Sequence, residues 1–437
     1  MRVLLVGGGG REHALAWALG RSPQLDELVV APGNAGIADD HRTVAIAADD
    51  VSALVEHATS GAYDLVVVGP EAPLVGGLAD RLGEAGVAVF GPTRRAAELE
   101  ASKVFAKRFM TRHRIPTADY RVFDGAAAAR DYLGARGRPY PLVVKADGLA
   151  AGKGVSICAD AGEAIEAAEA MLVGGRFGEA GRRIVVEELL RGREASFFVL
   201  ADGRGFLELA TCQDYKRAGD GDTGPNTGGM GAYSPSVHLD AEMRAQIHRE
   251  IVEPTIAGLR AEERDFRGVL YVGLMLTGDG PKVLEYNARF GDPETQVMMP
   301  RLDGDWLELL HAAATGRLNG REIAWKTDPA VCVVMAAEGY PGSYAKGWPI
   351  DGIAEARAVG GVVVFHAGTA RDAARRLVTA GGRVLGVTAT AGDLGQARRR
   401  AYLAVEAIDW QGRHYRGDIA RDAIAARTEP RREGSDD

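Results

Sequence analysis

Cysteine is scarce in this chain: Cys158, Cys212 and Cys332 are its only three, too few and too scattered for a disulfide framework or a cysteine-based zinc site. They are expected to be reduced, structural thiols. The nine histidines include no HExxH or comparable pair, which removes the usual histidine-based metal site. No apolar run reaches about 18 residues, so no membrane-spanning helix and no membrane partner are expected. Met1–Val6 runs at once into glycines, as a first β-strand does and a signal peptide does not. A cytoplasmic location is the expectation. The net charge of −8 makes no field that would attract nucleic acid, and the arginine pairs and triplets fall on helical patterns rather than on a basic arm. No nucleic-acid partner is expected. Internal repeats and low-complexity tracts are also missing.

At 437 residues the chain exceeds one hydrophobic core, and roughly two to four domains are expected. Short apolar strands at 2–6, 28–31, 64–68 and 87–90 alternate with helical patterns such as Glu12–Leu19 and Gly76–Gly86. This βαβ series predicts a parallel α/β domain over residues 1–102. Each strand ends in a Gly- or Pro-bearing loop, where open parallel sheets bind ligands. A long helical segment begins at Arg94 and reaches Met110. Beyond it, strands at Leu142–Lys145, Val155–Cys158, Ile184–Glu188, Ala195–Leu200, Phe206–Cys212, Gly268–Thr277 and Lys282–Asn287, with helices at Ala161–Val173 and Ala241–Glu262, predict one α+β body over residues 103–325. Strands at Ala330–Ala337, Val362–Ala367 and Val384–Ala391 and a helix at Leu394–Ile408 predict a small C-terminal cap over residues 326–427, with residues 428–437 a polar tail.

Chemistry concentrates in five segments. In Pro141–Val155, Lys145 closes an apolar strand and Lys153 sits in the glycine-rich loop Gly148–Gly154. An ammonium desolvated at a strand end calls for an anion, and glycine backbone N–H groups can cover the same anion. A Walker A loop would need glycine at 147 and serine or threonine after Gly152-Lys153, where Asp147 and Gly154 stand, so that motif is excluded. Taken alone, the segment fits a phosphate site and a turn with a surface lysine equally well. Gly7–Gly10 opens a helix directly after the first strand, which suits a phosphate. A dinucleotide fingerprint fails here: its third small position is missing, and the second strand ends in Ala31-Pro32 without a ribose-binding carboxylate. A turn that merely permits close helix packing is the competing reading.

Ile184–Phe198 is a strand, a hinge and a second strand with carboxylates at both ends of the hinge, which could read a base or could be a solvated face. Along Val283–Glu294, alternation puts Glu285, Asn287 and Arg289 on one side of the strand. A carboxylate and an amide oxygen together suit Mg²⁺, and an adjacent arginine suits a carboxylate or acyl phosphate. Gln213–Tyr233 reads as a long loop dense in Gly, Asp, Thr and Asn, in which Asp214 and Lys216 supply opposite charges to a polar substrate.

Together these segments resemble the ATP-grasp superfamily and, within it, the phosphoribosylamine–glycine ligase family. The resemblance rests on VLLVGGGGREHALAW, GPEAPLV, VVKADGLAAGKGV, QDYKR, GDGDTGPNTGGMGAYSP, EYNARFGDPETQ, VFHAGT and GGRVLGVTA, in the family's order over almost all of residues 1–427. It implies an ATP-grasp fold with an N-terminal pre-ATP-grasp domain, a mobile lid at about 118–190 and a C-terminal cap. It implies ATP-dependent ligation of glycine to 5-phosphoribosylamine in purine biosynthesis, with Mg²⁺ or Mn²⁺, by a monomer. Position by position, Lys103, Lys145, Gly152, Lys153 and Gly154 would meet ATP phosphates. Glu187, Glu188 and Leu190 would hold adenine and Glu194 the ribose. Glu285 and Asn287 would bind the metal. Arg289, Lys216 and Asp214 would serve catalysis. Gly8, Gly9, Gly10, Glu71, Asn226, Thr227, Gly229, Met230 and Gly231 would line the substrate pocket. Two departures stand out: Gly273-Leu-Met275-Leu offers no third metal carboxylate, and Tyr215 stands where the family more often has histidine.

Overall fold

The first apolar runs carry little but Val, Leu and Ala, and they are buried along most of their length, as strands covered on both faces must be. They form a five-stranded parallel sheet in the order Arg42–Thr43, Glu27–Pro32, Arg2–Gly7, Leu65–Val68, Val89–Phe90. A computed structural model of the chain describes residues 1–149, 154–174 and 178–428.

The middle of the chain folds into two antiparallel sheets. One has the order Tyr120–Phe123, Ile184–Glu188, Leu142–Ala146, Val155–Cys158, with the helices Ala126–Leu133 and Ala161–Leu172 over its apolar face. The other has the order Phe206–Glu208, Arg193–Asp202, Arg267–Thr277, Gly280–Asn287. Phe206–Cys212 is therefore shorter than expected as a strand; Cys212 makes only an isolated bridge to Ser196.

The segment Arg94–Met110 is two helices, Arg94–Ala101 and Lys103–Arg112. Ser102 separates them in extended conformation and caps the second, its hydroxyl accepting from Phe105 N at 3.0 Å. The break sets Lys103 at the first helical position.

Gln213–Tyr233 holds more structure than its composition suggests. Arg217–Gly219 pairs with Thr223–Asn226, while Gln213–Asp214 and Gly231–Ser234 join the C-terminal sheet beside Ala330–Ala337, Arg383–Thr390 and Val362–His366. Small residues permit this close approach: a Cβ at position 231 would lie 2.7 Å from the Cys332 carbonyl oxygen. One core joins the parallel sheet, the second antiparallel sheet and the C-terminal sheet, with Leu5, Leu15, Phe198, Tyr271, Phe290, Trp306, Cys332 and Phe365 in a single cluster, while the sheet holding Leu142–Ala146 keeps a core of its own.

The contact between the first sheet's domain and the C-terminal sheet includes two buried histidines. His13 Nδ1 accepts the N–H of His366 at 2.8 Å, a bond that requires Nδ1 unprotonated. Burial, reinforced by His366 and Arg357, lowers the His13 pKa to about 3. Burial and Arg357 lower that of His366 to about 4. In the unfolded chain both rings titrate near 6.5. Between these values the unfolded state binds more protons, so the stability the neutral rings contribute is complete above pH 6.5 and is lost as pH falls toward 4 and below. The urea midpoint should therefore fall across that window, and His13→Gln should flatten the fall; identical slopes for the two proteins would contradict this reading.

Candidate active site

Lys145 leaves the buried strand Leu142–Ala146 and forms an ion pair with Glu187 on the adjacent strand. Lys107 holds the other carboxylate oxygen at 2.6 Å and donates to Thr117 Oγ1 at 2.8 Å. Burial alone would raise the Glu187 pKa; Lys145 and Lys107 outweigh it and hold the group ionised. Glu187 is thus the counter-charge for two buried ammonium groups. Glu188 is also engaged: its N–H donates to the Asp119 carbonyl and its Oε1 accepts from Asp119 N, both at 3.1 Å. Leu190 lies with Ala118, Met275 and Leu284 in a small apolar cluster. The Leu284 carbonyl accepts from Lys145 Nζ at 3.4 Å, so this apolar surface adjoins the ammonium.

Lys103 Nζ donates to the Gly148 carbonyl at 3.3 Å. Burial lowers its pKa, and Glu285 opposes that shift. Asp147 ties the end of the lysine strand to the helix Lys103–Arg112, accepting from Ser102 Oγ and Val104 N at 2.8 Å and pairing with Arg183 at 2.6 Å. The Gly154 carbonyl accepts from Ala146 N at 2.8 Å. Gly152 and Lys153 lie outside the described residues.

Glu285, Asn287 and Arg289 are all partly exposed, in step with the alternation read from the sequence. A bulge opposite Gly273/Leu274 adds Leu284 to this strand just before Glu285. Burial alone would raise the Glu285 pKa, but Lys216, Lys145, Lys103 and Arg289 together lower it. Four cations from four segments therefore converge electrostatically on one carboxylate. Asn287 Oδ1 accepts from Arg289 Nη2 at 3.0 Å. Arg289 also pairs with Glu100 at 2.8 Å and Glu71 at 3.3 Å, linking the helix Arg94–Ala101 and the parallel-sheet domain to the strand. Among the described residues no group of three or more His, Cys, Asp or Glu could hold a metal ion. The hard oxygens of Glu285 and Asn287 nonetheless fit a divalent cation that keeps phosphates and water in its shell.

Lys216 lies 3.2 Å from Glu194, and Asp214 and Glu194 raise its pKa against the effect of burial. Thr227 fixes the Lys216 backbone by donating both N–H and Oγ1 to its carbonyl, at 2.7 and 2.8 Å. Gly229 has φ +111°, and a Cβ there would lie 2.5 Å from Pro293 Cδ, so this turn requires glycine. Met230 is buried, and Gly231 belongs to the C-terminal sheet. Asn226 stands apart, exposed on the hairpin opposite Arg217. Tyr215 also points elsewhere: its hydroxyl donates to Asp422 at 2.5 Å and accepts from Ala420 N at 2.9 Å, which makes it a clamp for the C-terminal helix.

The glycines after the first strand are packed as well as open. A Cβ at position 8 would collide with the Gly33 carbonyl, one at position 10 would lie 2.7 Å from Gln296 Nε2, and the Gly9 N–H is taken by Glu12 Oε2 at 2.6 Å. Both readings of this turn thus have physical content. Sequence reasoning missed Lys107 and Glu100. Only Lys107 had a local signal, lying four residues after Lys103 on the same helix face.

A lysine on one antiparallel sheet, followed in sequence by a glycine-rich segment, and a carboxylate–amide pair on a second antiparallel sheet define an ATP-grasp enzyme. Models of the phosphoribosylglycinamide synthetase family match along the chain: its N domain at residues 1–100, its ATP-grasp (A) domain at 101–295 and its C domain at 330–422. Phosphoribosylamine–glycine ligase of Brucella melitensis is 52% identical over 97% of this chain and 98% of its own. The enzyme of that name from Rhizobium meliloti is 50% identical over 98% and 100%. A crystal structure of phosphoribosylamine–glycine ligase from Thermotoga maritima superimposes with a TM-score of 0.84 at 35% identity, covering 96% of this chain and 100% of that one. Biotin carboxylase from Campylobacter jejuni shares the fold, with a TM-score of 0.72 at 15% identity. The chain belongs to the phosphoribosylglycinamide synthetase family, whose members are ATP-dependent ligases of purine biosynthesis.

Proposed function

We infer that this enzyme joins glycine to 5-phosphoribosylamine, giving glycinamide ribonucleotide, ADP and phosphate through a glycyl phosphate. The convergence of Lys103, Lys145, Lys216 and Arg289 on Glu285 carries the reading, because it supplies a site for polyphosphate beside a site for a carboxylate. A glycine carboxylate oxygen attacks the γ-phosphorus and ADP leaves. The amine then attacks the acyl carbon; the carbon–oxygen bond breaks, phosphate departs with the electron pair and the nitrogen loses a proton.

Lys103 and Lys145 bind the ATP phosphates, and the loop carrying Gly152, Lys153 and Gly154 covers them. The apolar surface of Ala118, Leu190, Met275 and Leu284 receives the base, and Glu194 the ribose. Arg289 supports the acyl phosphate, exchanging part of its contact with Glu71 and Glu100 for phosphate oxygens. Asp214, Lys216, Glu71, the Gly8–Gly10 turn and the Asn226–Gly231 segment serve glycine and phosphoribosylamine, with Asn226 at the exposed rim. Glu285 and Asn287 would hold Mg²⁺ or Mn²⁺, which supplies charge neutralisation for the phosphates. Catalysis rests on alignment and electrostatics and needs no covalent enzyme intermediate. The enzyme acts as a cytoplasmic monomer, with residues 118–190 as a moving lid.

Glycine labelled with ¹⁸O in its carboxylate tests the chemistry. One labelled oxygen should appear in the released phosphate for each product formed. Unlabelled phosphate would rule out the acyl phosphate.

A further inference from the structure

The hairpin that follows Lys216 has no sheet to rest on: among the described residues its strands, Arg217–Gly219 and Thr223–Asn226, pair only with each other. A lone two-stranded hairpin is marginally stable in water, so other contacts must hold it. At its base the Lys216 carbonyl accepts from Thr227 N and Oγ1. Its tip, residues 220–222, meets residues 416–418 across sequence separations of 194 and 197.

Arg416 makes the tie. It is the largest fully buried side chain among the described residues. Its Nε and Nη2 fork onto the Asp418 carboxylate at 2.7 and 2.6 Å, which already neutralises the guanidinium. Nη1 nonetheless turns to the hairpin, donating to Asp222 Oδ1 at 2.8 Å and to the Arg217 carbonyl at 3.1 Å. The guanidinium carbon also lies 4.9 Å from the centroid of the Tyr215 ring. Arg416 thus contacts both sequence neighbours of Lys216.

Three further bonds repeat the tie, each at 2.8 Å. Asp418 Oδ2 accepts from Gly221 N, Asp220 Oδ1 accepts from Gly417 N, and His414 Nε2 donates to the Ala218 carbonyl. Behind them, the helix Leu394–Ala407 holds the segment: Tyr402 Oη donates to the Arg416 carbonyl at 2.6 Å, and Arg398 donates to the Gly417 and Ile419 carbonyls at 2.6 and 2.9 Å.

We propose that Arg416 is a positioning residue for the ligation: anchored in the C-terminal domain, it fixes Lys216 from both sides and so sets how firmly the site holds glycine and phosphoribosylamine, with little bearing on ATP. The inference rests on the function proposed above, in which Lys216 serves those two substrates. The phosphate lysines stand on other elements, Lys103 on the helix Lys103–Arg112 and Lys145 on the strand Leu142–Ala146, which none of these bonds reaches.

Arg416→Lys tests the role, because a lysine keeps a buried charge for Asp418 but cannot fork onto it and reach the hairpin at once. Hydrogen exchange of the substrate-free protein reads the anchor without reference to activity. Amides of residues 217–227 should exchange about tenfold faster than in the wild type or more, while those of Leu142–Ala146 keep their rates. In kinetics, kcat/KM for glycine should fall about tenfold to a hundredfold, the scale of a small misplacement, with the ATP dissociation constant within about threefold of wild type. Asp220 is exposed, so Asp220→Ala removes the bond to Gly417 and leaves no buried charge unpaired. It carries the test if Arg416→Lys does not fold, and should shift exchange and glycine kinetics in the same directions by about threefold to tenfold. In whichever variant folds, wild-type exchange across 217–227, or kcat/KM for glycine within about twofold of wild type, overturns the proposal. So does an equal weakening of ATP binding, which general loosening would produce. A wild-type enzyme that does not use glycine defeats the proposed function, and this role with it, even where the exchange result holds.

Discussion

Replacing Glu285 with alanine should lower kcat for ligation by about a hundredfold to a thousandfold, the scale of losing one preorganised electrostatic contact to a charged transition state. Glu285 is the point on which Lys216, Lys145, Lys103 and Arg289 converge, and it is kept ionised by them. Without it the four cations repel one another, and the oxygen donors for a divalent ion reduce to Asn287. Glu285→Gln keeps the shape and removes the charge, so it should be similarly impaired if charge is what matters. Steady-state kinetics with a parallel thermal melt check this. A Glu285→Ala enzyme that melts normally and keeps kcat within tenfold would remove Glu285 from the site.

The second large effect is on stability. Glu187→Ala would leave Lys107 and Lys145 buried beside each other without the carboxylate that both pair with directly, at side-chain exposures of 4% and 10%. Breaking a buried pair from one side costs about 3–5 kcal/mol, because the remaining charge stays desolvated. A carboxylate that faces two ammonium groups belongs at the upper end of that range. The loss should shrink at alkaline pH, where the unpaired lysines can shed their protons. Urea denaturation at neutral and alkaline pH measures both. A loss below about 1 kcal/mol at neutral pH would be that of an exposed pair and would contradict the burial described here.

Much of the site was legible because its chemistry is local. Alternation along one strand predicted that Glu285, Asn287 and Arg289 share a side, although the bulge at Leu284 was not visible. The apolar run before Lys145 predicted a buried strand ending in an ammonium. The parallel sheet followed from short apolar runs punctuated by glycine and proline.

What escaped depends on contacts distant in the chain. Nothing near Glu187 announces Lys107, eighty positions earlier. Glu100 meets Arg289 from a helix far earlier in the chain. Asp214 and Gly231–Ser234 sit in a segment whose Gly, Asp and Thr content suggests a loop, yet small residues let it lie flat against the C-terminal strands. Tyr215 shows the same limit. Its hydroxyl meets Asp422, across a sequence separation of 207, so its position next to Asp214 and Lys216 says nothing about its direction.

The central claim is that ammonium groups gathered around Glu285 serve one ligation with two partners for ATP. Coupled measurement of ADP release, with each substrate omitted in turn, tests it most directly. ADP should form only when glycine and 5-phosphoribosylamine are both present. Release without phosphoribosylamine, or equal turnover with other amino acids in place of glycine, would contradict the account.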